Sequence, residues 1–184
     1  AYAFLDESRY DEVSGYSNPK ESVHDLFTIG HTSTSVSLAL GLAKARNLAG
    51  GKENVIAVIG DGSLSGGEAL EGLDYAGEQT GNFIIVVNDN EMSIAENHGG
   101  IYKNLALLRE TKGKAQNNLF KAMGLDYVYV DEGNDVEKLI EAFESVKNTD
   151  HAVVVHVHTK KGKGLAFAEK DPETYHSGGP FDPV

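Results

Sequence analysis

Two oxygen-rich clusters follow two short apolar runs. Gly60, Asp61 and Gly62 come directly after the run Val55 to Ile59, and Asn88, Asp89 and Asn90 directly after the run Phe83 to Val87. A hard cation such as Mg2+ prefers near-octahedral oxygen coordination and shares its shell between a few protein ligands, water and phosphate oxygens. Asp61 offers a carboxylate, Asn90 an amide oxygen and Met92, just beyond, a backbone carbonyl. Those three ligands leave room for a diphosphate. The glycines flanking Asp61 suit a turn in which backbone approaches a ligand closely, with Gly62 and Ser63 presenting N–H groups to phosphate oxygens where a helix begins. A plain strand-to-helix turn is the competing account of Gly-Asp-Gly taken alone. The matching Asn-Asp-Asn cluster at a second strand end favours the ligand cradle.

Such ligands need strands to carry them. The apolar runs 55–59 and 83–87 have the pattern of strands covered on both faces. The residues between the two clusters suffice for one helix, about 66–77, and a return turn, so neighbouring parallel strands would bring Asp61 and Asn90 together. Open parallel sheets bind ligands outside the carboxyl ends of their strands, where both clusters fall. Upstream, residues 33–49 place small and apolar side chains at helical spacing, with Thr32 or Ser33 as N-cap and Gly50-Gly51 as the stop. Downstream come a loop through Asn104, polar helical sequence through Met123, a strand at 127–130, a helical stripe at Val136, Leu139, Ile140, Phe143 and Val146, and a strand at 152–157. Strands alternating with helices predict an α/β fold: a doubly wound, mostly parallel sheet with helices on both faces. A single domain is expected over 1–184, with 1–29 as an extended N-terminal arm and 160–184 as an exit linker.

Composition narrows the classes of function. The absence of cysteine excludes disulfides and thiolate metal sites, so any metal is held by oxygen or imidazole. A net charge of -12 argues against a nucleic-acid partner, because neutralising phosphates needs clustered Lys and Arg. The one basic cluster, Lys160, Lys161 and Lys163, reads as a solvated turn, with contact to a phosphate-bearing ligand or a neighbouring segment as the sharper alternative. No apolar run is long enough to cross a bilayer and the first residues lack a secretory pattern, so no membrane partner and a cytoplasmic location are expected.

The stretch GDGSLSGGEALEGLDYAGE followed by IIVVNDNEMSIAEN resembles the thiamine diphosphate motif of the transketolase superfamily. NDNEMSI is especially similar to the 1-deoxy-D-xylulose-5-phosphate synthase family, and TIGHTSTSVSLALGLA and the tail TKKGKGLAFAEKDPETYHSGGPFDP extend the likeness over nearly the whole chain. The resemblance implies the thiamin diphosphate-binding fold, Mg2+ on Asp61, Asn90 and the Met92 carbonyl, and cofactor contacts from Gly30, His31, Thr32, Asp61, Gly62, Ser63 and Asn90. It gives His31 and His176 catalytic positions. The implied reaction decarboxylates pyruvate and transfers the two-carbon unit to glyceraldehyde 3-phosphate, giving 1-deoxy-D-xylulose 5-phosphate for isoprenoid and thiamine biosynthesis. Leu165 stands where the family carries an aromatic residue, and residues 96–127 are shorter than the family's insertion. A transketolase-type ketol transferase therefore stays open as an alternative. So does a non-catalytic diphosphate-binding module.

In that family the glutamate that activates the cofactor's aminopyrimidine lies in a second domain. The chain is accordingly expected to need a pyrimidine-binding domain, from the same longer chain or a separate subunit, and to form a homodimer when complete. His98, beside Gly99-Gly100, is expected to line the cofactor loop, and the resemblance assigns it no role. His156 and His158, two apart on a strand, face one side and are read as packing or solvent-facing residues rather than a metal pair.

Overall fold

The computed structural model describes residues 6–12 and 14–176. The chain comprises two compact units, Ala1–Thr32 and Ser33–Val184. Within the first, Glu7–Glu12 form a 3-10 helix. Residues 17–29 fold back on themselves: Ser17 Oγ donates to the Phe27 carbonyl at 2.9 Å, and the Ile29 N–H donates to the Ser17 carbonyl at 3.2 Å.

The second unit is built on the strands β1 (Val55–Gly60), β2 (Phe83–Asp89), β3 (Asp126–Val130) and β4 (Ala152–His158), all parallel in the order β1-β2-β4-β3. Between and around them run α1 (Ser35–Leu48), α2 (Asp61–Leu64), α3 (Gly67–Ala76), α4 (Gly100–Glu110), α5 (Leu119–Ala122), α6 (Val136–Val146) and α7 (Ala166–Lys170). Side chains alternate across a strand, so the sheet feeds two cores. On one face Ala57, Ile59, Phe83, Ile85, Val87, Ala152 and Val154 meet Val36, Ala39, Leu40 and Ala43 of α1, Leu73 of α3, Leu105 and Leu108 of α4 and Phe120 of α5. On the other, Ile84, Val86, Val130, Val153, Val155 and Val157 meet Ala142 and Val146 of α6. The fold is thus the expected parallel α/β sheet with helices on both faces. None of the described helices is long and apolar enough to cross a membrane.

Three local expectations are corrected, and the tail gains one element. The N-cap of α1 is Thr34, because Ser33 takes a left-handed conformation (φ 71°) and spends its hydroxyl on the Ser63 carbonyl at 2.7 Å. The polar helical stretch is two helices, parted by a turn in which Lys112 (φ 49°) and Gly113 (φ 77°) are left-handed. The buried stripe of α6 is rotated from the expected one: Leu139, Ala142, Phe143 and Val146 pack inward while Val136 and Ile140 are exposed. On that face α6 covers β2, β4 and β3 and leaves Ile56 and Val58 of β1 exposed. The tail, read as linker, contains the short helix α7.

Phe83, the first residue of β2, has no solvent exposure. Its replacement by alanine is expected to lower the unfolding free energy by about 3–5 kcal/mol in urea titration. Ile56→Ser on the exposed face is expected to change it by less than about 0.5 kcal/mol.

Candidate functional site

The alternation that builds the first core continues into the strand ends. Ala57, Ile59 and Asp61 form one series and Phe83, Ile85, Val87 and Asp89 the other, and the register pairs Gly60 with Asn88. Asp61 and Asp89 are therefore neighbours on the same face at the carboxyl ends of adjacent parallel strands, both buried. They line a cleft of about 530 Å3 together with Asn90, Met92, Asn97, His98 and Arg109. Asp61, Asn90 and Met92, the expected metal ligands, are brought together as the strand argument required.

The two carboxylates have opposite surroundings. Asp61 is pushed up to about 6, first by burial and then by the negative charge of Asp89, against hydrogen bonds from the Gly62 and Asn90 N–H groups. Asn97 Nδ2 also donates to its Oδ2 at 2.8 Å. Burial acts most strongly on Asp89 too, and would raise it. Hydrogen bonds and charge from His156 and Arg109 outweigh burial and hold Asp89 at about 2. His156 Nε2 lies 2.8 Å and Arg109 Nη1 2.5 Å from Asp89 Oδ2. The Glu91 N–H donates to Asp89 Oδ1 at 3.1 Å, and the Met92 N–H to Asn90 Oδ1 at 3.2 Å, so two successive Asx turns shape the segment. Glu91 between them is left-handed at φ 70°. One carboxylate is fully engaged with protein, and the other shares its cleft with neutral oxygen donors, a donor set that fits a hard divalent cation.

Gly62 is required by close approach. A Cβ there would sit 2.8 Å from Ser93 Cβ, in the segment that follows Met92. Tyr102 of α4 braces the same region, its hydroxyl donating to Ser65 Oγ at 2.8 Å. Ser63 contributes its carbonyl to Ser33, as above. Gly30, His31 and Thr32 end the first unit and are exposed. His176 is exposed and lines neither this cleft nor the larger one described next.

A second cleft of about 700 Å3 lies on the far side of Asn90 and Met92, lined by His158, Asp131 and all three lysines of the basic cluster. Lys161 Nζ donates to the Ser93 carbonyl and Lys160 Nζ pairs with Glu169 at 2.5 Å. The cluster thus contacts neighbouring segments, the sharper of its two readings. His98 lines the first cleft. His156 and His158 do face one side and reach Asp89 and Glu91 respectively. His156 has no exposure and its Nδ1 lies 2.7 Å from the Tyr127 hydroxyl. Because Asp89 is ionised and can only accept, His156 donates to it from Nε2, and Nδ1 is left to the Tyr127 hydroxyl. Asp89, Arg109, Asn97 and His156 were missed as site residues. The signal for Asp89 was present, since positions 83, 85, 87 and 89 share a face.

A model of the 1-deoxy-D-xylulose-5-phosphate synthase family matches residues 3–117 and 106–159. Residues 106–117 fall within both matched stretches. The chain is 43% identical to 1-deoxy-D-xylulose-5-phosphate synthase 2 of Geobacter sulfurreducens over 208 aligned residues, covering 94% of this chain and 33% of that protein. It is 41% identical to the synthase of Syntrophotalea carbinolica, over 92% of this chain and 32% of that protein. It is 40% identical to the synthase of Caldanaerobacter subterraneus, over 95% and 34%. The chain therefore spans about a third of the length of the curated relatives it matches. An X-ray structure from Mycobacterium smegmatis, described as a thiamin diphosphate-dependent enzyme, matches with a TM-score of 0.53 at 19% identity, over 71% of this chain and 22% of that one. At that identity the likeness is one of fold.

The buried network sets a graded expectation for stability. Tyr127→Phe removes one hydrogen bond to His156 and should cost about 1 kcal/mol in urea titration. His156→Leu strips a buried partner from Asp89 and should cost about 3–5 kcal/mol. Equal costs for the two would contradict the assigned network.

Proposed function

The chain belongs to the 1-deoxy-D-xylulose-5-phosphate synthase family, and on that premise we propose that it is the thiamine diphosphate- and Mg2+-binding domain of such a synthase. The observation that carries this reading is the convergence of Asp61, Asn90 and Met92 on one cleft beyond the carboxyl ends of β1 and β2. In it, Asp61, Asn90 Oδ1 and the Met92 carbonyl hold Mg2+. Gly62, Ser63 and Asn90 contact the diphosphate end of the cofactor. Thiamine diphosphate, when bound, supplies the nucleophilic carbon and the electron sink. This chain's residues bind and orient it: Arg109 and His156 occupy Asp89, which leaves Asp61 as the carboxylate directed to the cation.

The full reaction, transfer of the two-carbon unit of pyruvate to glyceraldehyde 3-phosphate with loss of CO2, requires a pyrimidine-binding domain that contributes the activating glutamate. That domain lies either in the same longer chain or in a separate subunit. His31 and His176 act at the substrate in that assembly, which is a homodimer in the cytoplasm. The named relatives support synthase over transketolase-type chemistry, as all are 1-deoxy-D-xylulose-5-phosphate synthases.

Calorimetry of the 184-residue chain is expected to show thiamine diphosphate binding that depends on Mg2+ and is reversed by EDTA. Asp61→Ala is expected to abolish the metal-dependent part. An affinity unchanged by that substitution would remove Asp61 from the site.

A further inference from the structure

Arg109 lies in the last turn of α4 and lines the first cleft, yet its donors are turned to protein. Nη1 reaches Asp89 Oδ2 at 2.5 Å and Nη2 reaches Glu91 Oε2 at 3.2 Å. One planar guanidinium thus bridges the residues on either side of Asn90, a geometry that a fixed fork of donors makes rigid.

The bridged segment is not self-supporting. Glu91 holds a left-handed conformation, which an L side chain keeps only where its surroundings enforce it. From the opposite side the same strand end is gripped by β4 and the residue after it. His156 Nε2 binds Asp89, the Thr159 N–H donates to the Asp89 carbonyl at 2.8 Å, and Thr159 Oγ1 donates to Asn88 Oδ1 at 2.7 Å. Asp89 is therefore fixed on its β4 side, and Arg109 closes the cleft side. We propose that Arg109 is a positioning residue that clamps the Asn90–Met92 turn through Asp89 and Glu91, and so presents Asn90 and the Met92 carbonyl to the same cation as Asp61. The inference rests on the thiamine diphosphate reading above.

Outer partners that orient metal ligands typically affect affinity 10- to 100-fold. Binding of thiamine diphosphate at saturating Mg2+ is therefore expected to weaken about tenfold or more in Arg109→Gln, with a comparable loss in Arg109→Lys, whose single ammonium cannot bridge both carboxylates. Glu91→Gln alters an exposed carboxylate that meets Arg109 and His158, and leaves Asp89 paired. It is expected to weaken binding about threefold, the size of one partly exposed ion pair. Its sign is decisive, because removing a negative charge beside the cleft would by electrostatics alone strengthen binding of the anionic cofactor. Thermal melts of Arg109→Lys and Glu91→Gln check that both are folded. If the unaltered chain binds and these two variants bind as tightly, the clamp is overturned while the cofactor reading stands. If the unaltered chain does not bind, the cofactor reading falls and the clamp with it.

Discussion

The carboxylate of Asp89 has no contact with solvent, and that fact organises the carboxyl end of the sheet. An unpaired buried charge costs several kcal/mol, so the chain must bring it partners. They come from separate elements: Arg109 from α4, His156 from β4 and the N–H of Glu91 from the turn after β2. Tyr127 of β3 then holds His156 from behind. A single buried charge thereby ties three strands and a helix into one rigid platform, and the platform is where the ligand-bearing turn begins.

Asp61 is the counterpart of that arrangement. Two acids at adjacent strand ends cannot both be neutralised by the same cations, and the structure assigns the protein's own cations to Asp89 alone. Burial, followed by the charge of Asp89, raises Asp61 to about 6. The cleft thus contains one satisfied carboxylate and one that gains from a cation, beside the neutral oxygens of Asn90 and Met92. The division of labour follows from where partners are placed, since the two side chains are chemically identical.

Much of this was legible beforehand. The apolar runs at 55–59 and 83–87 announced buried parallel strands, and their endings, Gly-Asp-Gly and Asn-Asp-Asn, announced oxygen ligands at neighbouring strand ends. Val36, Ala39, Leu40 and Ala43 fulfil the helical spacing of residues 33–49. The rotated stripe of α6 was not legible. Val136 and Ile140 are apolar at the right spacing, yet the helix turns them to solvent and buries Ala142 instead. Ser33 was equally opaque as a cap, because its hydroxyl is claimed by a carbonyl thirty residues away in the chain.

Sequence by itself determined the fold class and the family, because each is written in local patterns: periodicity, strand-end chemistry and the motif from Gly60 to Met92. It could not say that Asp89 is a structural anchor while Asp61 faces the cleft. That distinction depends on Arg109 and His156, twenty and sixty-seven residues from Asp89, arriving at the same oxygen. Only the packing of α4 and β4 against β2 brings them there. Charge pairing acts through space, so the role of each carboxylate was decided by tertiary structure.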